Sequence, residues 1–320
     1  MLHEQPRLLA QKRWRLLARA LTGSPEPGPG RISTRRFGSF GLLRADHLPD
    51  YRFGQEAHCS WWLYSCLIGG RLYQLLVRRV SNCFTADQLI GFNNTGNVCV
   101  WPSEECLAYY VLKNGEICRG RRVLELGGGM SCLAGALVAK YCQASSVTLT
   151  DGNARSVDNV ARIVESNGLE GLARCLVVQW ASAAEALGRS PSRRPQELAS
   201  GSGSGSDVRS GDERPYDLIL CADCLFFDED WLDLVDTIYA WLADDGLALV
   251  MAPRRGATFR RFAEAAACRG LLLRRQRECY DPEIWARHLQ LLASDPLYCP
   301  DIHLPVLLEL TKPGRGPRLG

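Results

Sequence analysis

The sequence predicts an α/β protein built on a doubly wound, mostly parallel β-sheet that follows a smaller β-rich N-terminal segment. Two observations predict this fold. From residue 93 to residue 311, short apolar strands alternate with amphipathic helices, which is the pattern of a parallel sheet with helices on both faces. Between residues 31 and 92, the apolar residues instead form β-like runs that are separated by short turns.

The N-terminal part divides into two regions. Residues 1–30 combine a basic helix of apolar periodicity with a Gly- and Pro-rich linker, TGSPEPGPG, at positions 22–30. In the β-rich segment, Gly69 and Gly70 predict a hairpin turn between two strands. The expected strands lie at Trp61–Ile68, at Leu72–Val77 and around Phe37 and Phe40.

The alternation that follows contains seven expected strands. A helix opens at Pro102 and runs to Leu112, ahead of the first strand. The strands are expected at Arg122–Leu126, Val147–Thr150, Cys175–Gln179, Tyr216–Cys221, Leu247–Met251, Leu271–Arg275 and Val306–Leu310. The helices between them are expected at Met130–Tyr141, Asn153–Asn167, Glu229–Leu242, Gly256–Arg269 and around Pro282–Leu292.

The alternation stops between residues 185 and 215. This stretch is rich in Ser, Pro and Arg and contains the Gly-Ser repeat 201–206, so it buries too little apolar surface to offset the entropy of ordering. We therefore expect a disordered insertion within a domain that spans residues 93–311, and a flexible tail at 312–320.

The composition is that of a soluble globular protein, with 46% hydrophobic and 23% charged residues. No apolar run approaches the roughly 20 residues of a membrane span, so no membrane partner is expected. The fourteen cysteines are scattered and no signal peptide is expected, which predicts free thiols in a reducing compartment such as the cytoplasm or nucleus. Cys221 and Cys224 have C-x-x-C spacing but no second pair, so no metal site is expected.

The sequence ELGGG follows the first expected strand and precedes a helix. Gly127, Gly128 and Gly129 let the backbone turn tightly and let a ligand lie against it, where open α/β sheets bind ligands. A dinucleotide fingerprint would have glycine in place of Cys132. Glu125 would repel a pyrophosphate but can accept from an ammonium group, which favours S-adenosylmethionine. The structural alternative is an ordinary glycine-rich connection.

Acids also follow two later strands. Asp151 ends the second strand, where a carboxylate suits the hydroxyl pair of a ribose. Asp223 and Phe226 follow the fourth strand and Ala222 with D-x-x-F spacing. For methyl transfer to a lysine, we expect Asp223 to orient the amine and accept its proton, and Phe226 to line the channel. The structural alternative makes Asp223 a helix N-terminal acid and Phe226 a core residue.

Five motifs together resemble the seven-β-strand protein lysine methyltransferases, and within them the calmodulin-lysine N-methyltransferases. They are FNNTGNVCVWPSEE at 92–105, ELGGGM, LTDGN, CADCLF and APRRG. The resemblance implies a class I, Rossmann-like sheet of seven strands, S-adenosylmethionine as methyl donor, and trimethylation of one lysine of calmodulin. It also implies cofactor contacts for Trp101, the glycine turn, Asp151, Trp180 and Ala222. The structural alternative for each tryptophan is a core position.

Three alternatives stay open. Trp14 and Leu21 have the spacing of a calmodulin-target helix, although a plain solvated helix or a mitochondrial presequence has the same pattern. The methyl acceptor is alternatively another protein, or a nitrogen of a nucleic acid or small molecule. The sequence has no stripe of basic residues interleaved with aromatic residues, so it does not predict a nucleic-acid partner. The third alternative is a non-catalytic calmodulin-binding scaffold, against which the intact acids and glycines argue.

Overall fold

The computed structural model contains two β-sheets flanked by α-helices. The residues that it describes are 39–49, 59–80, 99–180, 215–225 and 231–313. The expected basic helix, the insertion up to residue 214 and the tail beyond residue 313 lie outside these ranges. No helix within the described ranges combines the length and the apolar character of a membrane span.

The smaller sheet is antiparallel and has the strand order β1-β2-β3. Its strands are β1 (Arg44–Leu48), β2 (Cys59–Ile68) and β3 (Arg71–Val80). Gly69 and Gly70 have φ angles of +57° and +80°, and they join β2 to β3 in the predicted two-residue turn. The expected strand at Phe40 is wrong, because this residue has no regular secondary structure and precedes a bend at residues 41–43. Phe37 lies outside the described residues.

Glu105 explains why the chain is not a strand at Phe40. Its buried carboxylate accepts hydrogen bonds from the backbone N–H groups of Phe40, Leu42 and Leu43, at 2.8, 2.7 and 3.2 Å. The hydroxyl of Ser39 donates to the same carboxylate at 2.9 Å. Because one carboxylate uses these donors, they are not available to a neighbouring strand.

The larger sheet has seven strands in the order β6-β5-β4-β7-β8-β10-β9, and only β10 among them runs antiparallel to its neighbours. This confirms the predicted doubly wound, mostly parallel sheet. The strands are β4 (Arg122–Leu126), β5 (Ser146–Asp151), β6 (Ala173–Val177), β7 (Tyr216–Ala222), β8 (Leu242–Pro253), β9 (Leu272–Arg277) and β10 (Pro305–Thr311). Strand β8 begins earlier than expected because Leu242 pairs with Tyr216 across a bulge.

Helices cover both faces of the larger sheet. They are α1 (Pro102–Lys113), α2 (Leu133–Tyr141), α3 (Ala154–Ser166), α4 (Trp231–Trp241), α5 (Thr258–Cys268), α6 (Pro282–Ser294) and α7 (Pro300–His303). Strand β7 shows the two faces, because Leu218 and Leu220 pack in the cluster that contains α1, α2 and α3. Ile219 and Cys221 point the other way, into the cluster that contains α4 and α5.

Helix α2 begins at Leu133 rather than at the expected Met130. Met130 and Ser131 form a turn, and Cys132 has a left-handed backbone with a φ of +41°, which is not compatible with a right-handed helix. The loop between β4 and α2 is therefore longer than predicted. We call this loop, residues 127–132, the glycine turn.

Asn159 of α3 joins the smaller sheet to the glycine turn. Its side-chain amide donates to the backbone oxygen of Met130 at 2.7 Å and to that of Arg78 at 2.9 Å. The guanidinium of Arg78 donates back to Asn159 Oδ1 at 2.7 Å. The smaller sheet is thus held against the loop that follows β4.

The strand order places a topological switch point between β4 and β7. The chain runs from β4 outward to β5 and β6, and then returns to β7 on the opposite side of β4. Open α/β sheets bind ligands outside the carboxyl ends of strands at such a point. The ends of β4, β5 and β7 carry most of the residues that the sequence singles out.

Candidate active site

The start of the glycine turn lies too close to its neighbours for a side chain at Gly127. Gly127 and Gly129 both have a φ of +62°. A Cβ atom on Gly127 would lie 2.7 Å from Cys224 Sγ and 2.9 Å from Cζ2 of Trp180. Glycine is therefore required at position 127 by backbone conformation and by packing together.

Asp151 holds the tip of the glycine turn. Its Oδ2 accepts from the backbone N–H of Gly129 at 2.9 Å, and its Oδ1 accepts from that of Asn153 at 2.9 Å. Burial raises the pKa of the Asp151 carboxyl to about 6, although both backbone hydrogen bonds lower it. The acid is mostly ionised at neutral pH, and each oxygen keeps a lone pair for a further donor.

Glu125 is turned from β4 towards α2. Its Oε2 accepts from the backbone N–H of Gly135 at 2.8 Å, whereas its buried Oε1 has no hydrogen-bond partner among the described residues. Burial, followed by the nearby Glu104 carboxyl, raises the pKa of Glu125 to about 8. A buried oxygen without a partner is costly, so it fits a site where a cationic donor or a bridging water is bound.

Glu104, which the sequence shows only as part of the motif at 92–105, is a further residue of the site. Its Oε1 accepts from the Ser131 hydroxyl and from the backbone N–H of Leu133, the latter at 3.1 Å. Its Oε2 accepts from the backbone N–H of Trp101 at 3.3 Å. Burial raises the pKa of Glu104 to about 7. Trp101 at the start of α1 is thereby linked to the glycine turn.

Two buried carboxyls cap α2 from outside. Cys132 at the N-cap makes no side-chain hydrogen bond to the helix. Glu104 instead binds the N–H of Leu133 and Glu125 binds that of Gly135, so these first-turn donors are satisfied. The positive end of the helix dipole favours acids there. Glu104 also lies three residues after Trp101, the N-cap of α1, and its side chain accepts from the Trp101 N–H as in half of a capping box. This spacing at the start of α1 is the signal that identifies Glu104 in sequence.

Asp223 forms an ion pair with Arg255. The two residues follow the adjacent strands β7 and β8, and Arg255 Nη1 lies 2.5 Å from Asp223 Oδ1. Both have left-handed backbone, with φ angles of +55° and +42°. Arg255 belongs to the APRRG motif, but its separation of 32 residues from Asp223 hides the contact in sequence. Phe226 lies outside the described residues, so its place in a channel stays a prediction.

The structure brings most of the predicted site residues to one edge of the sheet. Direct contacts join Gly127 to Trp180 and Gly129 to Asp151. Ala222 ends β7 beside them, and Cys224 donates its S–H towards the backbone oxygen of Gly127 at 3.6 Å. Glu125 differs from them in that one of its oxygens binds α2, whereas the other has no hydrogen-bond partner among the described residues. The cofactor contacts of these individual residues stay predictions.

The site fits a nucleoside that is joined to a positively charged amino acid. The glycines that begin the turn have no side chains and allow close approach. Asp151 has lone pairs for ribose hydroxyls, and Glu125 has a buried oxygen, unpartnered among the described residues, for an ammonium. S-adenosylmethionine is a molecule of this kind, and Asp223 and Arg255 lie where β7 and β8 end at the same edge.

Comparison with known proteins shows which family the chain resembles. A family model described as lysine methyltransferase matches residues 86–193. The calmodulin-lysine N-methyltransferase of Arabidopsis thaliana is 31% identical over 318 residues, which cover 93% of this chain and 95% of that protein. The electron transfer flavoprotein beta subunit lysine methyltransferase of Rattus norvegicus is 30% identical over 142 residues, 44% of this chain and 42% of that protein.

Solved structures of S-adenosylmethionine-dependent methyltransferases are also similar. The TehB-like enzyme from Corynebacterium glutamicum has a TM-score of 0.42 and 21% identity, and the match covers 65% of this chain and 87% of that one. The similarity to the Arabidopsis enzyme extends over nearly the full length of both proteins. The chain therefore belongs to the lysine methyltransferase family that includes this enzyme, and it is an S-adenosylmethionine-dependent protein-lysine methyltransferase.

Proposed function

We propose that the enzyme transfers methyl groups to the ε-amine of a lysine in calmodulin. The observation that carries the proposal is the similarity to the Arabidopsis calmodulin-lysine N-methyltransferase, which includes the regions on both sides of the cofactor motifs. Relatives named for other protein substrates match less than half of this chain. Trimethylation is the extent of reaction that the motif resemblance implies.

The residues around the glycine turn are proposed to hold the methyl donor. S-adenosylmethionine supplies an electrophilic methyl group on a sulfonium when it is bound. Asp151 accepts from the ribose hydroxyls, and the free oxygen of Glu125 accepts from the ammonium, directly or through water. The remaining contacts belong to Trp101, Gly127, Gly128, Gly129, Trp180 and Ala222.

The residues after β7 are proposed to handle the lysine. A lysine with a reference pKa near 10.4 must lose a proton to react, which costs about 4 kcal/mol at about pH 7.4. Asp223 orients the amine and accepts this proton, and Phe226 provides a dry wall that favours the neutral form. Positioning of the two reactants supplies about 7–11 kcal/mol towards the barrier.

The surface charge supports an acidic substrate. The chain has a formal net charge of +3, and Arg274 and Arg275 are exposed on the edge strand β9. Calmodulin is acidic, so basic side chains on the enzyme accelerate the encounter and favour this partner over basic ones.

The proposal is tested by labelling. Purified enzyme is incubated with methyl-labelled S-adenosylmethionine and a lysate of cells that lack the enzyme. We expect one dominant labelled band that migrates with calmodulin. Mass spectrometry of purified calmodulin should then place one, two or three methyl groups on a single lysine.

Two controls make the result specific. Calmodulin with that lysine replaced by arginine should take up no label, because the acceptor amine is missing. Enzyme with Asp223→Asn should label calmodulin far more slowly. A dominant label on RNA or on another protein, with none on calmodulin, would overturn the substrate proposal while leaving the enzyme class intact.

A further inference from the structure

Arg255 lies against the carboxylate that we assign to the substrate lysine. The Arg255 and Asp223 side chains are 27% and 8% exposed, so their ion pair is largely shielded from solvent. We propose that Arg255 is a positioning residue that acts through Asp223 and keeps the bound lysine in its neutral, reactive form. This inference rests on the role proposed above for Asp223.

An isolated carboxylate would oppose methyl transfer. It attracts the lysine ammonium, but it also raises the pKa of that lysine, which must lose its proton to react. A guanidinium in contact with the carboxylate offsets its negative charge and stays protonated at every pH at which the enzyme works. Asp223 then keeps lone pairs for orienting the amine while the net charge beside the amine is close to zero.

The backbone around the ion pair is strained and firmly held. Left-handed φ is unfavourable for a non-glycine residue, so two such residues persist only where their surroundings fix them. The backbone N–H of Asp223 donates to Met251 O at 2.8 Å, and that of Arg255 donates to Asp301 O at 2.8 Å. The ion pair is therefore a built feature of the two strand ends and not a contact between two mobile side chains.

Asp301 of α7 fixes the loop from which Arg255 extends. Its carboxylate Oδ2 accepts from the backbone N–H of Gly256 at 2.8 Å, in addition to the bond between Asp301 O and Arg255 N. The neighbouring Arg254 is paired with Glu278. Arg254 therefore has its own carboxylate partner, and Arg255 is the guanidinium that lies on Asp223.

His303 and Cys224 lie near the ion pair, and both keep their charge between neutral and mildly alkaline pH. Burial, and then the charge of Arg255, lowers the pKa of His303, so this imidazole is neutral above pH 7. A hydrogen bond with Cys221 and burial raise the pKa of Cys224 well above its usual value, so this thiol stays protonated. Glu104 and Glu125 ionise in this range, but they are common to the wild type and every variant. A difference between the pH profiles of the variants and the wild type therefore reports on the substrate amine.

The test compares the pH dependence of kcat for three variants and the wild type, with calmodulin as substrate. For Arg255→Gln, we expect the profile to move to higher pH by about one unit or more, because Asp223 is no longer offset. At neutral pH kcat then falls about tenfold and recovers at alkaline pH. Arg255→Lys, which keeps the positive charge, should follow the wild-type profile.

Arg260→Gln is the matched control for removal of an arginine. Arg260 is exposed on α5, where it pairs with Glu264 at 2.6 Å, and its loss should leave both activity and profile unchanged. Calorimetry of S-adenosylmethionine binding to each variant shows that the cofactor site is intact. Should Arg255→Gln not fold, Asp301→Ala at an exposed position removes the side-chain bond to Gly256 N and keeps the backbone bond to Arg255 N. The loop that carries Arg255 is then held less firmly, and the profile should move in the same direction.

The outcomes separate the two proposals. Without methylation of calmodulin by the wild type, the substrate proposal fails, and the profiles are then measured with the acceptor that the lysate labelling identifies. If the wild type is active and Arg255→Gln loses the same fraction of kcat at every pH, the profile has not moved. That result refutes the role of Arg255. In the absence of folded Arg255→Gln, a wild-type profile for Asp301→Ala refutes it equally.

Discussion

Asp151 Oδ2 accepts a hydrogen bond of 2.9 Å from the backbone N–H of Gly129, and this bond joins the end of β5 to the glycine turn after β4. The other oxygen binds Asn153 N at 2.9 Å and leads into α3. One buried acid thus shapes the turn from which the cofactor is bound. Cofactor affinity should therefore depend on Asp151 both directly, through the ribose, and through the turn.

Asp151→Asn is expected to weaken S-adenosylmethionine binding by about tenfold or more, because the amide has one acceptor oxygen and no charge for the ribose hydroxyls. Titration calorimetry measures the affinity. Asp158→Asn makes the same change at an exposed position of α3 and should bind as the wild type does. Equal affinities for all three proteins would contradict the role of Asp151.

Gly127→Ala tests the close packing of the turn. Its Cβ atom would overlap Cys224 and Trp180, and its φ of +62° is unfavourable for alanine, so we expect lower stability and loss of cofactor binding. Gly168→Ala is the matched control, because Gly168 has a φ of +66° with open space around its Cβ position. It should cost about 1–2 kcal/mol from backbone strain alone.

Denaturant unfolding and calorimetry of both variants separate strain from packing. If Gly127→Ala binds the cofactor with wild-type affinity, Trp180 and Cys224 are not fixed against the turn. If the two alanine variants lose equal stability, the overlap of the new Cβ atom at position 127 with Cys224 and Trp180 does not contribute to the loss.

The sequence predicts the larger sheet well because its signals are local. Apolar strands alternate with helices, and Gly69-Gly70 and ELGGG mark turns in which Gly69, Gly70, Gly127 and Gly129 have positive φ. The start of α2 was less predictable, because Cys132 adopts a left-handed backbone while carboxyls from elsewhere cap the helix. Contacts between residues that are distant in sequence determine where α2 begins. The spacing of residues along the sequence does not reveal these contacts.

The same limit applies to the site. Asp151, Asp223 and the glycines follow strands, so periodicity and residue type identify them. Glu104 and Arg255 act through partners 27 and 32 residues away, Ser131 and Asp223, and no local pattern reveals those contacts. Side-chain pairing across strand ends is the part of this site that needs coordinates.

The stability of the protein without cofactor should fall as pH rises. Burial raises the pKa of Glu104 from 4.5 to about 7 and that of Glu125 from 4.5 to about 8. The folded protein therefore keeps protons that the unfolded chain releases around pH 4.5. The free energy of unfolding decreases up to pH 8 and beyond, because Glu125 is only about half ionised at that pH. The midpoint Tm, measured from pH 5 to pH 8, should decrease accordingly.

Glu125→Gln checks the origin of this pH dependence. The amide oxygen still accepts from Gly135 but the side chain cannot ionise, so we expect a flatter change of Tm with pH. S-adenosylmethionine should raise the Tm of the wild type more at pH 8 than at pH 6, because its ammonium favours ionised Glu125. A Tm that rises between pH 5 and pH 8 in the absence of cofactor would show that these carboxyls do not dominate the pH dependence.

Asp223→Asn should separate binding of the cofactor from chemistry on the lysine. The carboxylate lies at the end of β7 beyond the glycine turn, so affinity for S-adenosylmethionine should stay at the wild-type value. Loss of the proton acceptor is expected to lower kcat about a hundredfold or more. Because Arg255 is then left unpaired beside a cationic substrate, KM for calmodulin should rise as well.

Initial rates at varied calmodulin concentration measure both constants for Asp223→Asn. Asp245→Asn, at an exposed position of β8, is the control for loss of one acid and should retain wild-type rates. If Asp223→Asn is less stable but keeps the wild-type kcat, Asp223 has only a structural role, as the partner of Arg255 in the ion pair. Loss of cofactor affinity together with kcat would instead place its effect in the glycine turn, because Cys224 links the two segments.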